Sequence, residues 1–184
     1  DTVYFESGKT FNGKIYLESN DSGSPDNPVV LTSNGTSMAV INAENSNGLY
    51  ALNTEWIEIR NLEFSGSGPT SNHAEGVFFY TDLSNGKKLE HIVIDHVRIH
   101  GFGKAGLCIG SWNKSYPGFR DVLVTNLRSN NNETGLSTYD MAEYGSTKYG
   151  HLNLRVTDSE FLDCISSGIV IGGVDSGVIE YCLA

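Results

Sequence analysis

The sequence predicts an all-β solenoid, a coil with three short strands per turn. Two observations predict it: one order of parts recurs down the chain, and each part alternates apolar and polar residues with a period of two. The stretch WIEIRNLEFSGSGPTSNHAEGVFFY, Trp56 to Tyr80, holds the unit in full. Ile57-Glu58-Ile59 is a first strand, Arg60-Asn61 a polar break, Leu62-Glu63-Phe64 a second strand, and Val77-Phe78-Phe79, entered through Gly76, a third. Ile92 to Ile109 repeats that order, as do Val122 to Thr138 and Leu154 to Ile171, so the period is roughly 30 residues, in the range of solenoids and propellers. Helical repeats need apolar residues at i, i+3, i+4 and i+7, which these units lack. Propeller blades need four hairpin-connected strands, and the middle turn here is too short for that. Three strands per coil, each paired with its copy one turn later, satisfy the pattern.

In this order of parts the chain resembles the right-handed parallel β-helix family of pectate lyases and related polysaccharide-active proteins. The resemblance implies an all-β, right-handed, single-stranded parallel β-helix over residues 1–184 as one domain. Residues 1–27, with the opening DTVYFESGKTFNGKIYLE, look like the cap or first rung of secreted bacterial β-helix proteins, and 28–184 form successive rungs. Val178 to Ala184 begins a rung and stops inside it, so the chain is expected to continue into further rungs or another domain, and Asp1 in place of Met suggests a processed or trimmed start.

The repeat assigns faces. Ile57, Ile59, Leu62 and Phe64 are expected inside, with Ile92, Ile94, Val97 and Ile99 above them. Glu63, Arg98, Arg128 and Glu160 then form an outward, solvated column, in which Arg98 beside Arg128 is a like-charged pair. The polar break stacks Asn61, His96, Asn126 and Asp158, resembling the family's asparagine ladder, with hydrogen bonds expected along the axis. Ile94-Asp95-His96 resembles a WIDHC-type pectate lyase signature. The acids that would follow it are missing from Ala105 to Ile109, and the repeat alone accounts for the tripeptide, so neither calcium nor catalysis is carried over.

Composition narrows the function classes. A formal charge of -10 and pI near 4.8 speak against nucleic acid and against a polyanionic substrate without a bridging cation. No apolar run reaches the roughly 18 residues of a membrane span. Cys108, Cys164 and Cys182 have no metal or redox spacing and are expected as free thiols. No cofactor is expected, with calcium as the one alternative, although no acidic cluster has calcium-loop spacing.

A site is expected on the third strand and the long loops that follow it, Thr81 to His91, Ser111 to Asp121 and Tyr139 to Leu152. Tyr80, Trp112 and Tyr139, with Tyr116, Tyr144 and Tyr149 along the loops, offer flat rings with polar tips for stacking on sugars, or for packing the loops onto the coil. Hydrolysis of a glycoside needs two carboxylates; Asp140 and Glu143 are the candidates, with Asp82 and Asp175. Elimination from a uronic acid needs a base and a cation; Arg120, Lys148 and His151 are the candidates, with Lys114. The expectation is a secreted or periplasmic protein acting on polysaccharide, a lyase or a glycosidase, with a non-catalytic glycan-binding or adhesion solenoid as the competing class.

Overall fold

The computed structural model describes residues 1–142 and 145–184; Glu143 and Tyr144 lie outside the described residues. It is an all-β solenoid of parallel sheets. The first sheet takes Thr2–Phe5, Val29–Ser33, Ile57–Arg60, Lys88–Asp95, Gly118–Thr125 and His151–Thr157 in order, closing with Val174–Asp175 and Val178–Glu180. The second takes Thr10–Asn12, Ala39–Glu44, Leu62–Gly66, Arg98–His100, Arg128–Asn130 and Glu160–Leu162. In the third run Ile15–Leu17, Leu49–Leu52, Val77–Thr81, Ala105–Ser111, Thr134–Tyr139 and Ser167–Val170. Residues 2–17 make a complete first turn, in register with the second.

In-register pairing stacks each inward side chain on its counterpart one turn away. Ile57, Ile59, Leu62, Phe64, Ile92, Ile94, Val97 and Ile99 are all fully buried, as the alternation requires. Each contributes about 1.5–3 kcal/mol of burial. Most of these strands bury three residues or fewer, so the column along the axis supplies the core and no single turn could stand alone.

Polar residues enter this core where a corner needs them. Asn132 is wholly buried; its Oδ1 accepts from the Phe102 amide at 2.9 Å and its Nδ2 donates to the Ile99 carbonyl at 3.1 Å and to Ser129 Oγ at 3.0 Å. Asn72 repeats the device two turns earlier, donating to the Glu44 and Ser46 carbonyls and accepting from the Ala74 amide. Both occupy corners between the second and third sheets, where the chain bends too sharply for the ladder to satisfy its own backbone groups.

The turn between the first and second sheets corrects one expectation. Asn61, His96, Asn126 and Asp158 do share a column, continued by Tyr181, but among the described residues no hydrogen bond joins their side chains to one another. What they share is a left-handed backbone, φ between 48° and 55°. Asn, Asp and His tolerate that region better than most residues, and the corner needs it because two strands meet there with only one or two residues between them. His96 Nδ1 and Asn126 Nδ2 both turn to Asp95 Oδ1, at 2.6 and 3.2 Å. A second left-handed column, Trp56, His91, Asp121, Asn153 and Ser176, lies inside the first sheet just before Ile57 and its register partners. There the side chains do stack: the Trp56 and His91 rings lie 4.8 Å apart and 16° from parallel, and Asn153 Nδ2 donates to Asp121 Oδ1 at 2.5 Å.

On the outside, Glu63, Arg98, Arg128 and Glu160 form the expected column. The first sheet carries a tighter charge chain. Glu58 accepts from His91 Nε2 at 2.8 Å and from Arg60 Nε at 3.0 Å, and Arg60 Nη1 reaches Asp95 Oδ2 at 2.7 Å. Burial alone would raise the Glu58 pKa; the His91 and Arg60 hydrogen bonds outweigh it and hold the carboxyl below its usual range.

Two outcomes are expected. Asn132→Ala strands the Phe102 amide and the Ile99 carbonyl in the core and should cost about 3 kcal/mol by urea denaturation, whereas Asn130→Ala, its half-buried neighbour, should cost under about 0.5 kcal/mol. Because Glu58 has a depressed folded pKa, its contribution is full above the unfolded carboxyl value near 4.3 and is lost as pH falls through the folded one. Glu58→Gln should therefore flatten the acid limb of a stability-pH curve while leaving its slope above pH 6 unchanged, to within about 0.3 kcal/mol per unit.

Candidate functional site

The outward face of the third sheet is the most aromatic surface of the molecule. Register sets Tyr16, Tyr50, Phe78, Cys108, Ser137 and Val170 in one column. Tyr16 and Tyr50 stack at 5.8 Å between centroids, Tyr50 and Phe78 sit 5.3 Å apart, and Phe78 meets Tyr80 of the neighbouring column at 5.5 Å. Parallel pairing repeats at about 4.8 Å, close enough to ring-stacking distance that aromatic residues tile this face without strain.

The rings stop at the fourth turn. Cys108 and Ser137 are small, and in the next column Tyr80 is followed by Gly110 and then Tyr139. The Tyr139 ring folds down over Gly110, where an added Cβ would lie 2.4 Å from its Cζ. Small residues below and a folded ring beside them leave a groove of about 300 Å³, lined by Glu75, Lys104, Cys108, Glu133, Ser137 and Tyr139. Trp112, more than half exposed, stands edge-on to Tyr139 at 6.4 Å and extends the groove's aromatic side.

The groove's acids differ in their surroundings. Glu75 is nearly buried; Lys104 Nζ lies 3.1 Å from its Oε1, and Asn47 Nδ2 donates to its Oε2 at 3.1 Å. Glu133, half-buried on the far side, makes no side-chain hydrogen bond or ion pair among the described residues. Burial, assisted by Cys108, Tyr80 and Glu75, pushes the Tyr139 phenol well above its ordinary value, and burial likewise raises Tyr50 and Tyr80. These phenols stay protonated at neutral pH, so they can donate hydrogen bonds but not serve as bases. Cys108 is buried beneath the groove and its thiol is raised by the same cause.

Tyr80, Trp112 and Tyr139 come together, with Asp82 beside Tyr80, but Asp140, His151, Arg120 and Lys148 turn to other partners. Asp140 holds its own loop: Oδ1 accepts from the Ala142 amide at 2.9 Å and Oδ2 from the Gly150 amide at 2.5 Å. His151 is buried and stacked on Phe119, with Nδ1 accepting from the Phe119 amide at 3.2 Å and Nε2 donating to the Tyr139 carbonyl at 2.9 Å. Both ring nitrogens are occupied by backbone, and burial lowers its pKa, so the imidazole is neutral. Arg120 lies on the first sheet, 3.3 Å from Glu90. Lys148 sits over the Tyr116 ring at 5.8 Å, and Tyr149 is on the same outer loop, about one-third exposed. Glu143 and Tyr144 lie outside the described residues. The cation that organises this corner is Lys88, whose Nζ donates to the Tyr116, Tyr149 and Gly150 carbonyls at 2.6, 2.6 and 2.8 Å. Loop and coil also close up at Gly118, where a Cβ would lie 1.6 Å from the Gly150 carbonyl oxygen.

Glu75 and Glu133 escaped the sequence reading because they precede the third strand, in the corner from the second sheet, while the long loops follow it. A signal was present: Glu75 stands immediately before the repeated Gly76, where the next turns have Ala105 and Thr134. Among the described residues no group of three or more His, Cys, Asp or Glu is gathered as a metal ion would need, and no helix is long and apolar enough to cross a membrane.

The sequence matches no protein-family model and no curated protein. In fold, the chain is similar to the crystal structure of a GH136 lacto-N-biosidase from Eubacterium ramulus, with a TM-score of 0.70 at 18% identity over 87% of this chain and 35% of that one. A selenomethionine derivative of the same protein matches with a TM-score of 0.59 at 13% identity, over 99% of this chain and 50% of that one. The chain thus spans between about a third and a half of these neighbours, and at such identities the likeness carries the fold, a β-helix also used by a carbohydrate-active enzyme.

His151 generates a prediction. Its folded pKa is depressed, so the unfolded chain binds a proton that the native state refuses, and stability falls as pH drops below the unfolded value near 6.5. Urea midpoints should therefore decline from pH 7.5 to 5.5 in the native sequence, and His151→Gln, which keeps a donor and an acceptor, should show a flatter decline over that interval.

Proposed function

We propose that this protein is a carbohydrate-active β-helix that binds a glycan along the outer face of its third sheet and hydrolyses a glycosidic bond at the groove between Glu75 and Glu133. The observation that carries the reading is that a continuous run of stacked rings leads into one groove holding two carboxylates in different environments. Rings with polar tips receive the apolar faces of sugars while their hydroxyls meet the sugar's own. Different environments separate the roles of the two acids. Glu75, held in place by Lys104 and Asn47, is assigned as base or nucleophile; Glu133, whose carboxyl makes no ion pair or side-chain hydrogen bond among the described residues, is assigned as proton donor. Glu75 precedes the third-turn strand and Glu133 the fifth, so their backbones stand roughly 10 Å apart at about 4.8 Å per turn, a spacing from which glutamate side chains can span the separations of about 5–9.5 Å that glycosidases use.

The fold likeness to a lacto-N-biosidase supports this class without fixing the sugar. Elimination of the pectate lyase kind fits the groove less well, because Lys104, its cation, is already paired with Glu75 and the nearby phenols are poor bases. Substrates of cell-wall or extracellular origin, and a secreted or periplasmic protein of bacterial type, belong to the same proposal. One observation favours a second reading, a glycan-binding solenoid without catalysis: the Glu75–Lys104 pair would neutralise one of the two acids.

Incubation with neutral, amino-sugar and uronic glycans, with and without calcium, separates these readings. Hydrolysis gives new reducing ends without the ultraviolet absorbance of unsaturated uronates. Glu75→Gln and Glu133→Gln should each slow it by about 100- to 10,000-fold, and Trp112→Ala should weaken glycan binding several-fold with the fold intact by circular dichroism. Absorbance accompanying the new ends would replace hydrolysis by elimination, and glycan binding without new ends across the panel would establish the binder.

A further inference from the structure

The second sheet presents a feature that the groove on the third does not use. Arg98 and Arg128 are register partners on adjacent strands, as are His100 and Asn130 two residues along. Together with Glu63 they line a shallow polar groove of about 250 Å³ on a different face of the coil. Two arginines on strands about 4.8 Å apart are like charges set side by side, and the acids beside them pair with them only loosely. Arg98 Nη1 stands 3.9 Å from Glu63 Oε2, and Arg128 Nε stands 3.7 Å from Glu160 Oε2, both beyond hydrogen-bond length. Glu63 Oε1, meanwhile, is engaged by His100 Nε2 at 3.2 Å.

The other arginines behave differently. Arg60 bonds Glu58 and Asp95 at 3.0 and 2.7 Å, Arg120 bonds Glu90 at 3.3 Å, and Arg155 bonds Glu180. Among the described residues, Arg98 and Arg128 are the two arginines whose guanidinium groups make no hydrogen bond, and they are adjacent. The Asn130 amide makes none either. The forks are exposed, each a little over half, so water can satisfy them in the free protein.

We infer that Arg98 and Arg128, with Asn130 beside them, form a binding site for an oxyanion, a sulfate or carboxylate group, carried on a glycan or free in solution. The chemistry fits on two counts. A guanidinium fork matches the oxygens of a carboxylate or sulfate bidentately, and one oxyanion between two forks removes the repulsion that the register imposes. Because the whole chain carries a formal charge of -10, the long-range field repels anions, so recognition is local and salt-sensitive. This site does not depend on the hydrolase reading, since it shares no residue with the groove on the third sheet.

Calorimetric titration of the full chain at low ionic strength, with dextran sulfate, uncharged dextran and inorganic sulfate, tests the inference. Dextran sulfate should bind and dextran should not. Arg98→Ala and Arg128→Ala should each weaken dextran sulfate binding about tenfold or more, as the loss of a charge-assisted pair implies. Arg98→Lys, which keeps charge but loses the fork, should fall between, and Arg120→Ala, on the first sheet, should bind as the native sequence does. Competition by inorganic sulfate upholds a site for the free ion, and its failure to compete upholds one for a glycan-borne group. Absence of dextran sulfate binding in the native sequence, or an equal loss in Arg120→Ala, overturns the inference.

Discussion

Everything in this structure depends on parallel, in-register backbone pairing from one turn to the next. Each residue on a strand is hydrogen-bonded beside its counterpart at about 4.8 Å, so a side chain is judged first by whether it tolerates a copy of itself at that distance. Aliphatic residues tolerate it, and Ile57, Ile92, Val122 and Leu154 form a buried file along the axis. Aromatic rings tolerate it too, which is why Tyr16, Tyr50 and Phe78 can cover an exposed face without a ligand. Like charges do not, and most charged columns answer by alternating sign or by reaching across the strand, as Arg60 does between Glu58 and Asp95.

The same constraint governs the corners. A coil of short strands must turn at fixed places, and at one corner, and again at one position inside the first sheet, the chain is bent by one residue in the left-handed region, repeated turn after turn. At the first the residue types are nearly uniform, Asn61, His96, Asn126 and Asp158; at the second they are Trp56, His91, Asp121, Asn153 and Ser176. Their common property is a backbone angle, and the side chains then find whatever partner stands next to them: a ring for Trp56, an amide for Asp121. Side-chain ladders are thus a consequence of the turn geometry rather than its cause.

This explains which parts of the molecule were legible in the sequence. Inward positions such as Ile94 and Phe64, and the outward column from Glu63 to Glu160, follow from period two combined with the repeat, and both kinds of pattern are written in residue type. The second left-handed column is written in φ, for which Trp, His, Asp, Asn and Ser share no compositional mark. In the candidate site, Tyr80, Trp112 and Tyr139 were legible because they sit at the ends of third strands, where the repeat gives way to long loops. Asp140 and His151 were drawn to the same place by their chemistry, yet the path of the 139–151 loop, which no pattern encodes, brings backbone groups to every one of their polar atoms. Glu75 and Glu133 resemble ordinary corner residues until the third dimension sets them beside Tyr139.

In a solenoid, departures from self-tolerance therefore carry more information than the repeat does. Along the third sheet the rings run unbroken until Cys108 and Ser137 take their positions, and the void those small side chains leave is what Tyr139 and the two glutamates border. On the second sheet the alternation of charge fails at a single step, where Arg98 meets Arg128. Neither departure extends its own pattern: an aromatic residue at position 108 would have continued the stack, and an acid at 128 would have alternated with Arg98 while meeting Glu160 as a like charge. A scaffold that enforces repetition so strictly makes such breaks expensive to keep by accident. Those breaks fall on two different faces of the coil, the third sheet and the second.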